Sequence, residues 1–184
     1  MTELLDALAR YAPADAHEAR AHARIVSHVR GGGALFERTR WDGHLTGSAF
    51  VLDASRTHLL LLFHRKLERW LQPGGHGEPG EVDPLDVARR EAEEESGIAG
   101  LVLHPDAPRP FDLDVHVIPA RPGEPAHEHL DVRYLFVAPA GAHPNPDAAE
   151  SRGFAWVELA RAAESGGDAS VERAARKILA LRPR

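Results

Sequence analysis

Three glutamates, Glu91, Glu94 and Glu95, stand at i, i+3 and i+4 just ahead of a glycine, Gly97. On a helix that spacing brings their carboxylates together on one face, where like charges repel by about 0.2–0.5 kcal/mol per exposed pair. A hard divalent cation removes the repulsion. Magnesium takes carboxylate oxygens and keeps waters that substrate phosphates can displace. Taken alone, such a trio also describes a solvated acidic surface. Here it follows a Pro73-Gly74-Gly75 turn and an acidic turn, Glu78-Pro79-Gly80-Glu81. Glycines there let backbone groups, those of Gly74 among them, approach an ion or a phosphate. Arg90 lies four residues from both Asp86 and Glu94 and can offset part of the charge.

The element that must position these carboxylates is a helix with its own start and stop signals. Asp83 can accept from the orphan amides as N-cap, and Pro84 loses no hydrogen bond at the first helical position. Gly97 is the expected stop. Leu85, Ala88 and Ala92 form an apolar stripe for a core.

The run from Gly75 to Ile98 resembles the Nudix box, G-x5-E-x7-R-E-U-x-E-E-x-G-U, where U is a bulky apolar residue. Gly75 and Glu81 fit its start. Arg90 through Ile98 fit its end, with Ala92 small for its apolar slot. Eight residues rather than seven separate Glu81 from Arg90. The extra residue falls in the Val82-Asp83-Pro84 turn, so the register of Arg90, Glu91, Glu94 and Glu95 is kept and the role of Glu81 is the one placed in question.

The resemblance implies an α/β fold, the Nudix α/β/α sandwich with a mixed sheet between helices. It implies hydrolysis of a phosphoanhydride in a nucleoside diphosphate linked to another moiety, or in a related organic pyrophosphate. Magnesium or manganese would be held by Glu91, Glu94 and Glu95 with the backbone of Gly74, and would lower the pKa of an attacking water. Glu91 is the first candidate for general base. Glu150, in the loop before the last strand, is a further candidate as base or ligand. Arg90 would hold the glutamates by salt bridges. Arg65, Lys66 and Arg69, just upstream, either bind a polyphosphate or form an ordinary polar loop.

Neighbouring readings lack their marks. An isomerase of the same fold needs a catalytic cysteine, and there is none. A nucleotide-sensing module, the alternative reading, would be expected to lose box glutamates. Decapping RNA needs a basic path, whereas the net charge is −6. The signatures that mark ADP-ribose, coenzyme A and diadenosine polyphosphate hydrolases within the family are not evident.

Around the box, 184 residues with 43% apolar content suit one catalytic domain, at 34–184, with a helical N-terminal extension at 1–33. Expected helices cover 2–11 and 15–30, with His17, His22 and His28 at the surface. The extension could cover an edge, shape the pocket or join a homodimer. Strands are expected at 44–52 and 57–64 about a turn at 53–56, then at 100–104, 111–118, 132–138 and 154–157, with a closing helix at 170–182. A loop at 119–125 leads to residues 126–131, which lie on the strand at 132–138 or at its mouth. There is no cysteine framework, no signal-peptide pattern and no apolar run of membrane length. A cytoplasmic protein acting on a small-molecule nucleotide, without nucleic-acid or membrane partners, is the expectation.

His127-x-His129 places two rings on one side of an extended segment. With His116, Glu128 and Asp131 near, these residues suit a transition metal. They equally suit a polar loop or hydrogen bonds to substrate, for which His129 is the candidate. His76, inside the box turn, reads as structural.

Overall fold

The computed structural model describes residues 2–165 and 168–181. The chain opens with helices α1 (Thr2–Ala9) and α2 (Ala16–Gly31). Strands β1 (His44–Leu52), β2 (His58–His64), β3 (Arg69–Leu71) and β4 (Gly74–His76) lead to helix α3 (Pro84–Ser96). Then come β5 (Val102–Leu103), β6 (Asp112–Ile118), β7 (His127–Val137) and β8 (Ser151–Glu158). Helices α4 (Leu159–Ser165) and α5 (Ala169–Leu179) close the chain.

The strands join in one mixed sheet of eight, in which β3, β2, β1, β7 and β5 are successive neighbours. β4 pairs with β1, β6 with β7 and β8 with β2. The axis of the sheet is the parallel β1–β7 pair, in register from His44 opposite His129 to Leu52 opposite Val137. β1 is buried along its whole length, because both faces are covered. Side chains alternate between faces. Ala49 and Val51 join one core cluster with Ile25 and Val29 of α2 and Ala88 and Ala92 of α3. Phe50 and Leu52 join a second with Val171, Ala174 and Ile178 of α5. Each fully buried aliphatic or aromatic side chain contributes about 1.5–3 kcal/mol.

Gly47 sets how closely α3 lies on the sheet. A Cβ there would meet the Pro84 carbonyl oxygen at 2.5 Å and the Ala88 nitrogen at 2.7 Å. Both are backbone atoms of the helix and cannot swing aside, so only glycine admits this docking.

A buried ionic network ties α2 and α5 to the sheet. Arg133 of β7 donates to Asp131 at 2.6 Å and to Asp114 at 3.0 Å. Arg173 of α5 donates to Asp112 at 2.7 Å, and Lys177 reaches Glu18 of α2 at 2.5 Å. Among the described residues no helix is long and apolar enough to cross a membrane.

Several elements differ from the sequence expectation. β7 begins at His127, not 132. Its polar residues, His127, His129, Asp131 and Arg133, form one face that packs inward, so the strand's start is not marked by an apolar pattern. β8 begins at Ser151, and α4, not expected as a separate helix, precedes the closing helix. The expected strand at 100–104 shortens to two residues, Val102–Leu103. His28, expected at the surface, is 2% exposed. The expected extension and closing helix reach residues 1 and 182, which lie outside the described residues.

Candidate active site

Helix α3 starts and stops where its caps require. The Asp83 carboxylate accepts from the Leu85 amide, Pro84 follows, and Gly97 closes the last turn with its N–H on the Glu93 carbonyl. Val87, Ala88 and Ala92 are buried against the sheet. That orientation turns Glu91 and Glu95 toward β4 and leaves Glu94 on the outer edge.

Glu91 lies directly over Gly75. A Cβ at Gly75 would stand 2.6 Å from the Glu91 carboxyl carbon, so the glycine keeps room for that carboxylate. Glu95 accepts from the Gly74 N–H at 3.2 Å. Burial pushes the Glu95 carboxyl up to about 8; the Gly74 amide opposes this, while the charges of Glu91 and Glu150 and a proton shared with Glu150 add to it. Burial also raises Glu91, with Arg90 acting against the rise and Glu94 and Glu150 for it. Two carboxylates of the helix therefore lie together over β4 with Glu150 of the loop before β8 acting on both, while Arg90 pairs with Glu91. Such a donor set fits a hard divalent cation, which takes oxygen ligands.

Arg90 organises the rim. Its Nε and Nη2 donate to the two Glu81 oxygens, each at 3.0 Å. Nη1 donates to Glu91 and to Glu94, both at 3.0 Å, and Nη2 also reaches the His76 carbonyl at 2.8 Å. The hydrogen bonds from Arg90 hold the Glu81 carboxyl below its ordinary value. The extra residue before the helix thus leaves Glu81 in contact with Arg90.

The remaining sequence candidates fall in two places. Arg65, Lys66 and Arg69 are exposed in and beside the turn between β2 and β3. The Arg65 N–H donates to the Glu150 carbonyl at 2.8 Å, which joins that turn to the third carboxylate. His129 lies on β7, its Nε2 3.1 Å from that of His76. His116 of β6 stands opposite it, its ring 5.3 Å from that of His129 and its Nδ1 3.4 Å from Asp114. Sequence reasoning did not single out His44, which the β1–β7 register sets opposite His129. No sequence-local signal marks it, since the pairing joins residues far apart in the chain.

The NUDIX domain model matches residues 44–180, and the chain belongs to the Nudix family. A comparison with curated proteins finds no match. Among solved structures, a Caenorhabditis elegans Ap4A hydrolase in a binary complex aligns with a TM-score of 0.58 and 22% identity, over 74% of this chain and 95% of that one. A NUDIX-family hydrolase from Clostridium perfringens aligns with a TM-score of 0.57 and 21% identity, over 79% and 99%. The Escherichia coli dihydroneopterin triphosphate pyrophosphohydrolase gives 0.54 and 18%, over 72% and 92%. These likenesses establish the mixed α/β fold of the family. The protein is a Nudix-type pyrophosphohydrolase, and enzymes of this family use divalent metal ions.

Proposed function

We propose that the protein hydrolyses a phosphoanhydride bond in a nucleoside diphosphate linked to another moiety, with Mg2+ or Mn2+, in the cytoplasm. The observation that carries this reading is the face of α3 on which Glu91 and Glu95 converge over the backbone of Gly74 and Gly75, both carboxyls raised by burial. Glu91 and Glu95 would be the principal ligands, with Glu94, Glu150 and the backbone of Gly74 completing the set. A bound ion would neutralise the diphosphate and make a water acidic enough to attack it.

The protein's own groups do the rest. Glu91, held by Arg90 and raised by burial, takes a proton from the attacking water as general base. Arg90 is a positioning residue. It fixes Glu81, Glu91 and Glu94 on one side and the backbone of β4 on the other. Arg65, Lys66 and Arg69 offer cations to the far phosphate.

The test is turnover on a panel of nucleoside diphosphate derivatives, dinucleoside polyphosphates and nucleoside triphosphates. Magnesium or manganese should support hydrolysis, and EDTA should abolish it. Full turnover in chelator would overturn the metal-dependent reading. Nucleotide binding without turnover on any substrate would make the protein a sensing module of the same fold.

A further inference from the structure

At one end of the sheet, four imidazoles come together that the hydrolytic chemistry does not require. His127 and His129 share a face of β7, and the parallel register lays His44 of β1 beside them. β4 adds His76, opposite Thr46 of β1. Ring centroids of His44 lie 5.1 Å from His127 and 4.9 Å from His129. One ligand nitrogen from each of His44, His127 and His129 lies within 4.8 Å of the others.

Three features distinguish this group from histidines that merely pack. His44 is 0% exposed, and neither of its ring nitrogens has a hydrogen-bond partner. The Arg40 carbonyl is near enough to favour the charged ring but stands outside hydrogen-bond geometry. A buried polar atom without a partner costs about 1–3 kcal/mol. Next, His127 Nδ1 lies 2.9 Å from the Pro125 carbonyl. A carbonyl only accepts, so Nδ1 carries the proton and Nε2 keeps its lone pair. That backbone bond is the kind that sets the tautomer of a metal-binding histidine. Last, a hydrogen bond of 3.1 Å joins the Nε2 atoms of His76 and His129, and moving its proton to Nδ1 frees both lone pairs at that spacing. Bonds of about 2.0–2.1 Å to one tetrahedral zinc place ligand nitrogens roughly 3.4 Å apart, close to that separation.

We propose that His44, His127 and His129, with His76 as fourth ligand, bind one zinc-class transition-metal ion at a site separate from the glutamates of α3. Imidazole nitrogens suit zinc, whereas the carboxylate oxygens of the other site suit magnesium or manganese. His76 lies 3.1 Å from His129 but outside the group of three that are all within 4.8 Å of one another; by turning onto the ion it would close the coordination shell, make the ion structural and pin β4 to β1 and β7. Neutral rings are the binding form. Burial first, and then mutual repulsion with neighbouring cations, lowers His44 and His76 to about 4 and His129 to about 2. Arg38 and Asp131 act on His76 with opposite signs. Trp41, its ring 5.5 Å from that of His127, lies against the group. The proposal does not rest on the hydrolytic reading.

The experiment is a titration of the chelator-treated full chain with Zn2+ alone, followed by calorimetry and by thermal unfolding. Co2+ serves as a visible probe of tetrahedral nitrogen ligation in the wild type. One equivalent of zinc should bind, raise Tm and persist in Glu95→Gln. It should weaken by at least about tenfold in His129→Gln and in His76→Gln, a scale reached even by groups that only orient a ligand. These two rings are partly exposed, so folding is less at risk than in His44→Ala, and circular dichroism checks it. A tetrahedral cobalt spectrum in the wild type supports the site. An octahedral spectrum, no saturable zinc binding, or binding lost in Glu95→Gln but unchanged in both histidine variants would overturn it.

Discussion

Two groups of buried acids share this fold, and they are neutralised in opposite ways. Asp112, Asp114 and Asp131 share Arg133, and Arg173 and Lys177 add two further cations at Asp112. Burial alone would raise Asp112 and Asp114, yet hydrogen bonds from Arg173 and His116 and the charge of Arg133 hold both below the ordinary carboxylate range. Glu91 and Glu95 are raised instead. The same residue chemistry thus serves two ends. Acids with permanent partners fasten helices to a sheet. Acids left short of positive charge are ready for a cation that comes and goes.

The largest effect should come from removing a partner in the first group. Arg133 is 3% exposed. Arg133→Met leaves Asp112, Asp114 and Asp131 facing one another with less positive charge, and should cost about 3–5 kcal/mol of stability. Urea unfolding measures it. A loss below about 1 kcal/mol would mean that the two groups do not differ as described.

In the second group, removing a charge should harm the rate and spare the fold. Glu95→Gln should lower turnover by about two orders of magnitude or more, with stability in chelator equal to wild type or higher. The pH dependence has a definite sign. The Glu95 carboxyl lies at about 8 in the folded protein against an ordinary 4.5. The folded state therefore holds the extra proton between those values. Its contribution to stability is present below the lower one and lost as pH rises through the upper one. In EDTA, wild-type Tm should fall across that window, and Glu95→Gln should flatten the fall. A wild-type rate in the variant, or identical pH profiles, would reduce Glu95 to a surface group.

Arg90 stands between the two patterns, since it is a permanent cation beside the transient site. Arg90→Lys keeps the charge but loses the planar fork that spans Glu81 and the His76 carbonyl. Turnover should fall several-fold, on the order of tenfold, with weaker apparent metal affinity. Metal titration of the rate checks it. Unchanged affinity and rate would show that charge alone suffices there.

Much of the carboxylate site was legible because helix pitch relates Glu91, Glu94 and Glu95 without help from tertiary structure. Capping chemistry at Asp83, Pro84 and Gly97 set the ends of the helix in the same local way. The paired acids were not legible. Asp112 and Asp114 owe their meeting with Arg133 to the register of β6 on β7, and Arg173 arrives from the closing helix. β7 also hid its own beginning, since a strand whose polar side faces inward starts without an apolar pattern. His44 escaped notice for the same reason as Arg133. Only the β1–β7 pairing says what it touches.

Glu150 differs from its two companions in how it is carried. The spacing of Glu91 and Glu95 is a property of the helix and cannot change without unwinding it. Glu150 hangs at the end of the connection from Val137 to Ser151, fastened by the Arg65 amide. Connections of this kind accept insertions and deletions that helices and strands do not. The third carboxylate is therefore an exchangeable part. Lengthening or shortening residues 146–150 would retune or retire it while Ala138 stays in the core and Asn145 on the end of the box helix. An effort to redirect this scaffold to another pyrophosphate would begin in that segment.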